Sequence, residues 1–339
     1  MMAPEYYQTS VAPPMSFSQT CVKGAVATLN VGGKIVRRLG VRSPALDSGS
    51  LRAAAMRRAQ LHDFGAWPIE APLLRLLDSY RREAHLTMLG ALTVRELVVS
   101  LLENLLHMEA ERARSPQIER ERIAAPVFII GLPRTGTTLL HGLMSRDPAS
   151  RVPLTWEVMY PAAPAGTAAE VESARARTTS RLEWANRLAP EFKRIHPIAA
   201  DLPQECIAIT AQVFMSIQFH TTHDVPSYED WFERDPQNLA YDFHYRLLQH
   251  LQAKRAGSRW VLKAPGHLFA LPALLARYPD AKIIQTHRDP LRVMASMASH
   301  ATVLRRAFSD RADRRAIAAD WAERWGRALD KFLAARDRA

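Results

Sequence analysis

Residues 126–142 read Pro-Val-Phe-Ile-Ile-Gly-Leu-Pro-Arg-Thr-Gly-Thr-Thr-Leu-Leu-His-Gly, and no other stretch of the chain constrains its fold as strongly. The β-branched and aromatic run Val127–Ile130 predicts a short, fully buried strand. It breaks at Gly131-Leu132-Pro133, and a helix restarts near Gly136. Strand, tight loop and helix N-terminus together make an anion site, because backbone N–H groups without intrahelical partners converge there and the helix dipole favours negative charge. Gly131, four residues and Gly136 have the spacing of a triphosphate-binding P-loop, yet Thr137 and Thr138 stand where that motif has Lys and then Ser or Thr. The cation comes earlier instead, as Arg134 inside the loop.

Two more segments have the same form. Trp260-Val261-Leu262-Lys263 ends at Ala264-Pro265-Gly266, and Ala281-Lys282-Ile283-Ile284-Gln285-Thr286 ends at His287-Arg288-Asp289-Pro290, each before a helical pattern. Strands alternating with helices predict an α/β fold, a P-loop-like three-layer α/β/α arrangement with a central parallel sheet and extra helices. Ligands in such folds bind at the carboxyl ends of the strands, where Arg134, Lys263, His267, His287 and Arg288 cluster. Elsewhere the pattern is helical over residues 73–114, with Thr93 and Glu96 as a capping box ahead of a stripe of Leu97, Leu101, Leu102, Leu105 and Met108. Helical patterns also cover 161–200, 205–220 and 239–254; residues 224–236 read as a loop; Trp321, Trp325 and Leu329 read as a core stripe. Residues 1–60 are expected to form an N-terminal arm, poorly ordered or peripheral, and 61–339 one α/β domain.

Composition narrows the function classes. The chain of 339 residues is 47% hydrophobic and 23% charged, ordinary for a globular protein. It lacks an apolar run long enough to span a bilayer and a signal-peptide pattern, so no transmembrane segment and a cytoplasmic location are expected. Cys21 and Cys206 form no CxxC pair, and His220 and His223 have no third ligand nearby, so no metal site is expected. The net charge of +11 admits nucleic acid, a membrane surface or a polyanionic small ligand. No nucleic-acid-binding signature accompanies it, and much of the surplus is Arg in Ala/Arg-rich helices, as at Arg305-Arg306 and Arg311 to Arg315. No nucleic-acid partner is expected.

Taken together, three segments resemble the sulfotransferases that use 3′-phosphoadenosine 5′-phosphosulfate (PAPS). Leu132-Pro133-Arg134-Thr135-Gly136-Thr137-Thr138 is similar to that family's 5′-phosphosulfate loop, in the Arg-bearing variant of tyrosylprotein and many bacterial members. Residues 284–296 resemble its 3′-phosphate element, in which a strand-end Arg (Arg288) and a helix Ser (Ser296) grip the ribose phosphate. Trp260-Val261-Leu262-Lys263-Ala264-Pro265 resembles the strand that carries a Lys beside the transferring sulfonate. The resemblance spans residues 120–300, about half of the chain, and implies PAPS as sulfonate donor. Arg134, Thr135, Gly136, Thr137 and Thr138 then hold the phosphosulfate, and Arg288 and Ser296 the 3′-phosphate.

The implied reaction is in-line displacement at sulfur by an acceptor hydroxyl or amine on a small molecule, lipid or carbohydrate. Arg134 and Lys263 would stabilise the departing phosphate. Two residues compete for the role of general base: Glu205, in Asp201-Leu202-Pro203-Gln204-Glu205, which matches a Pro-x-Glu position of the bacterial relatives, and His267, four residues after Lys263. Trp156-Glu157 and Tyr228 to Trp231 are candidates to line the acceptor pocket. Members of the family usually continue into a further strand and C-terminal helices beyond the point that corresponds to Asp337, whereas this sequence stops at Ala339. Two other readings stand beside this one. A P-loop kinase-like nucleotide-binding protein would need Mg²⁺ and ATP, and a non-catalytic homologue would bind PAPS or its desulfonated product without turnover.

Overall fold

The computed structural model describes residues 44–162, 167–188, 197–255, 257 and 259–338. Most of the arm expected over 1–60 therefore lies outside the described residues. Within them, α1 (Ser48–Ala59) starts where the Asp47 carboxylate accepts the Ser50 N–H, and it buries Leu51 and Ala55. Helices α2 (Glu70–Arg82) and α3 (Met88–Arg114) follow, with His85 in a left-handed conformation between them, so the single helical run expected over 73–114 is two helices. The capping box expected at Thr93 and Glu96 is not used. The cap of α3 is Thr87, whose hydroxyl accepts the Gly90 N–H at 2.9 Å, while Thr93 lies inside the helix and donates to the Gly90 carbonyl. Glu96 is held by Arg58 and Arg181. Leu89, Ala91 and Val94 are buried, and this packing draws the helix start back past the local signal.

Next come β1 (Val127–Ile130), α4 (Thr137–Met144), β2 (Ser150–Arg151), α5 (Thr155–Met159) and α6 (Ala168–Leu188). They lead to α7 (Cys206–Thr210), α8 (Gln218–Thr222), α9 (Pro226–Arg234), α10 (Asn238–Lys254), β3 (Arg259–Lys263) and α11 (Leu271–Arg277). The last elements are β4 (Lys282–Gln285), α12 (Pro290–Phe308) and α13 (Arg314–Arg336). The sheet is parallel throughout, in the order β2-β3-β1-β4, with Val127 opposite Val261 on one side and Lys282 on the other. Alternate residues of the strands serve two cores. Val127, Ile129 and Val261 meet Leu140 and Met144 of α4, whereas Phe128, Ile130 and Leu262 join the larger core on the other face. This is the expected α/β arrangement, and the three strands lie where the sequence placed them, but β4 is not the buried strand expected: at the end of the sheet order, Lys282 and Ile283 are exposed and Ile284 and Gln285 half-buried.

Two expectations change between residues 205 and 236. The helix expected over 205–220 is broken into α7, a 3₁₀ turn (Ala211–Val213) and α8, with Phe214 left-handed at φ +61°. The Tyr228 hydroxyl causes the break: it donates to the Phe214 carbonyl at 2.8 Å and accepts the Ser216 N–H at 3.0 Å, replacing helical bonds. The loop expected over 224–236 is α9, which begins with Pro226 at its first position and buries Tyr228, Glu229 and Phe232. Trp321 and Trp325 are buried and stacked, their ring centroids 5.6 Å apart, as the core stripe required. Among the described residues no helix is long and apolar enough to cross a membrane.

Histidines buried in this frame make stability depend on pH. Burial pushes His141 down from 6.5 to about 4, although its ring N–H donates to the Val261 carbonyl; His223 and His244 are pushed down to about 3 for the same reason. Because these values are depressed in the fold, unfolding takes up protons below 6.5, and the stabilisation present above 6.5 is lost as pH falls towards 4. The denaturation midpoint in urea is expected to drop steadily between about pH 7 and about pH 5. A midpoint that stays flat across that interval contradicts the assignment.

Candidate functional site

The turn after β1 is held in a shape that few sequences accept. Gly131, Arg134 and Gly136 all have positive φ, at +141°, +66° and +91°. At Gly131 a Cβ would sit 2.6 Å from the Thr286 carbonyl oxygen, so only glycine fits between the loop and the end of β4. The Thr135 hydroxyl bonds to the Leu132 carbonyl at 2.7 Å and to the Thr286 hydroxyl at 2.6 Å. Thr286 in turn donates its N–H to the Ile130 carbonyl, which ties the loop to β4. Helix α4 then opens on Thr137 and Thr138, and the earliest intrahelical bond is from Leu140 N–H to the Gly136 carbonyl. The N–H groups of the preceding residues are thus the open donors of a helix start.

Arg134 links this loop to α12. Its Nε donates to the Ser296 hydroxyl at 3.0 Å, and its carbonyl accepts from Arg288 Nη1 at 2.9 Å. Burial, and next the charge of Arg288, push the Arg134 pKa down. On the other side of the loop, Lys263 ends β3 opposite Ile129 and is only 1% exposed. Its ammonium is ion-paired with Glu205 and donates to the Thr138 hydroxyl at 3.2 Å. Glu205 stands at the residue before α7 without a side-chain bond to the helix, and its N–H donates to the Gln204 side-chain oxygen.

The structure therefore brings together Arg134, Thr135, Gly136, Thr137, Thr138, Lys263, Glu205, Arg288 and Ser296. His267 has other partners. It lies in the turn Pro265–Phe269, its Nδ1 is 2.6 Å from the Tyr241 hydroxyl, and its ring packs edge-on against Phe128 in the larger core. His287 is exposed. Trp156-Glu157 and Tyr228 to Trp231 are engaged in packing. Glu157 forms a buried bidentate pair with Arg151, Tyr228 serves the break before α8, and Trp231 lies under the Arg75 guanidinium. His220 bonds to Asp320 and Arg305, His223 to Tyr80. Among the described residues no three His, Cys, Asp or Glu converge to hold a metal. Thr286 was not singled out from sequence; it follows Gln285, the last residue of β4, and its bonds to Thr135 and Ile130 arise only from the pairing of β4 with β1.

Such a site offers two neighbouring places for anions, one at a helix start and one at Arg288 and Ser296, with a buried ammonium–carboxylate pair beside the first. It defines an α/β protein whose candidate site lies at the carboxyl edge of a parallel sheet, where such folds place their ligands. The chain belongs to the sulfotransferase family, whose sequence model matches residues 126–339. It is similar to the omega-hydroxy-beta-dihydromenaquinone-9 sulfotransferases Stf3 of Mycobacterium bovis and Mycobacterium tuberculosis, at 27% identity over 187 residues. That match covers 50% of this chain and 44% of each relative, so the matched part spans less than half the length of those curated relatives. Among solved structures, sulfotransferase STF1 from Mycobacterium tuberculosis H37Rv superposes with a TM-score of 0.79 at 35% identity, covering 86% of this chain and 81% of that one. Sulfotransferase STF9 from Mycobacterium avium shares the fold, with a TM-score of 0.78 at 24% identity over 88% of this chain and 77% of the other.

Because Gly131 combines positive φ with contact to Thr286, Gly131→Ala is expected to displace the loop rather than merely weaken it. Destabilisation of about 1–3 kcal/mol, as for an overpacked site, should accompany loss of anion binding. Chemical denaturation paired with nucleotide titration checks this; an alanine variant of native stability and affinity would refute it.

Proposed function

We propose that this protein transfers a sulfonate group from PAPS to an acceptor hydroxyl or amine. The observation that carries the reading is the pairing of the helix-start loop with Arg288 and Ser296 through Arg134. A donor with a 5′-phosphosulfate and a 3′-phosphate needs two adjacent anion sites, and a triphosphate does not. In this reading the N–H groups at the start of α4, the hydroxyls of Thr137 and Thr138, and Arg134 hold the phosphosulfate. Arg288 and Ser296 hold the 3′-phosphate. An Arg fork suits these roles because it binds two oxygens and stays charged.

The reaction follows from the same groups. The Glu205 carboxylate takes the proton from the acceptor O–H as the new O–S bond forms. The bond from sulfur to the bridging oxygen breaks, and its electron pair goes to the 5′-phosphate of the departing 3′,5′-ADP. Lys263, shared between Glu205 and Thr138, supplies positive charge for that oxygen, together with Arg134. Glu205 is favoured over His267 as the base because His267 is engaged with Tyr241 in the core. The acceptor class is a small molecule, lipid or carbohydrate. The printed name of the curated relatives, a hydroxylated menaquinone sulfotransferase, supports its lipid member.

A thermal-shift titration tests the donor. 3′,5′-ADP is expected to stabilise the protein without Mg²⁺, by about 2.7 kcal/mol at a hundredfold excess over Kd. Stabilisation by ATP with Mg²⁺ but not by 3′,5′-ADP would sink the reading. For the base, Glu205→Gln keeps a hydrogen-bonding partner for Lys263 and should lower kcat by about 10²–10⁴ with little change in affinity for 3′,5′-ADP. Turnover retained in that variant transfers the role to His267.

A further inference from the structure

Outside the site just described, α1 and α3 leave a groove of about 450 Å³ between them, lined by Ala54, Arg57 and Arg58 of α1 and by Leu92, Arg95 and Glu96 of α3. Its charge is unbalanced. Arg58 holds both oxygens of Glu96, at 2.8 and 2.6 Å, and Glu96 also accepts a bond from Arg181 of α6 at 2.7 Å, so two guanidiniums share one carboxylate. Arg95 bonds only neutral groups, the Ala45 carbonyl at 2.7 Å and the Ser50 hydroxyl at 3.2 Å, and Arg57 is exposed. Among these cations Leu92 stands 50% exposed. Helix α6 adds a second apolar tip. Asn104 of α3 bonds to the Met159 carbonyl, Arg177 lies over the Tyr160 ring, and Arg181 reaches Ser100 and Glu96, so α6 follows α3 back towards its start. Trp184, three residues past Arg181 and 49% exposed, is carried towards the Leu92 end, and the exposed Glu183 beside it is offset by the exposed Arg187 one turn on.

From this arrangement we infer that the face formed by α1, α3 and α6 docks on an anionic lipid bilayer. Such a surface rewards both kinds of group at once. Arginines at its level pair with phosphodiester headgroups, while an exposed leucine and an indole enter the boundary between headgroups and acyl chains. A soluble anion or a nucleic-acid backbone would satisfy the guanidiniums and leave Leu92 in water. A second copy of the chain would bring the same cations against these. The chain before α1 reaches the groove at Ala45, and residues 1–43 carry Lys23, Lys34, Arg37, Arg38 and Arg42 against Glu5 alone. That segment therefore repels the groove and adds to its attraction for a negative surface. With one indole and one leucine to insert, the contact is reversible and depends on salt. The inference stands on this face alone and does not need the sulfonate-donor reading; for a lipid acceptor it puts the protein on the surface that holds the substrate.

Flotation of the full chain with vesicles of phosphatidylcholine, alone or with about 30% phosphatidylglycerol to supply surface charge, tests this. The protein is expected to float with the anionic vesicles and not with the neutral ones, and to be released as salt is raised towards ~0.5 M. Arg57→Gln should lower the partition coefficient about fivefold, the share of one arginine beside an anionic surface. Leu92→Ser combined with Trp184→Ser should lower it about tenfold, through the apolar area no longer buried. Arg122→Gln, which removes an exposed arginine ahead of β1, should leave it close to that of the unmodified protein. Thermal unfolding checks that each variant is folded. Equal flotation with neutral vesicles, or none with anionic ones, overturns the inference. Flotation that no variant of the face changes overturns it by moving the contact to the basic segment 1–43, and flotation abolished by 3′,5′-ADP does so by moving it to the anion site. A dimer that Leu92→Ser dissociates in sedimentation, or an oligonucleotide that binds where anionic vesicles do not, gives the face to another partner.

Discussion

Strand β1 lies between two parallel neighbours, and the site depends on that placement. Its four residues are buried on both faces, and it pairs with β3 on one side and β4 on the other. Parallel pairing obliges all three strands to run out at the same edge of the sheet. The register then decides which residues meet. Lys263 lies opposite Ile129, and Thr286 follows directly after the partner of Ile130. A slip of one residue would turn Lys263 to the other face of the sheet and exchange the two cores. The loop is therefore gripped between Lys263 on the β3 side and Thr286 and Arg288 on the β4 side.

Buried charge serves different ends in two places. Arg151 and Glu157 form a closed pair: the guanidinium holds both carboxylate oxygens, bonds to the Val152 carbonyl, and lies over the Trp260 ring. That cluster fixes β2 to the sheet edge and leaves the groups fully engaged. Lys263 and Glu205 differ, because the ammonium also reaches Thr138 on the loop. Burying such a pair usually stabilises a fold no better than apolar side chains of the same volume. Stability alone does not account for an ammonium at 1% exposure on the end of a central strand.

Much of this was legible in the sequence because β1 and β3 are built on buried apolar runs ending in breaker residues, and even the short Ile283-Ile284 pair of β4 stands before such a break. That pattern owes little to distant neighbours, and it alone puts Arg134, Lys263 and Arg288 at or just past strand ends. What was not legible depended on partners far away in the chain. The break before α8 is imposed by the hydroxyl of Tyr228, twelve residues past Ser216. The start of α3 is set by burial of Leu89 and Ala91, which outweighs the local capping pattern. Strand β2 is two residues long, and a charged Arg151 disguises its burial. Glu205 already matched a Pro-x-Glu position in the sequence and His267 did not match by spacing; what only the fold shows is that the Tyr241 hydroxyl meets His267 in the core.

The loop carries its cation as Arg134, inside the loop, whereas a triphosphate-binding loop carries a lysine at the position of Thr137, and the structure shows what the arginine is bonded to. A lysine ammonium is a point charge with three rotatable donors, so any tether leaves its remaining direction undefined. A guanidinium is planar, and a bond at Nε fixes the plane while the two terminal nitrogens remain a fork. Ser296 makes that bond, and Arg288 fixes the backbone from which the side chain springs. The left-handed φ at Arg134 completes the arrangement, because it bends the chain so that one residue bonds α12 through its side chain and Arg288 through its carbonyl. Arginine therefore ties the loop to α12 through its side chain and to Arg288 through its carbonyl, an arrangement that charge alone would not require.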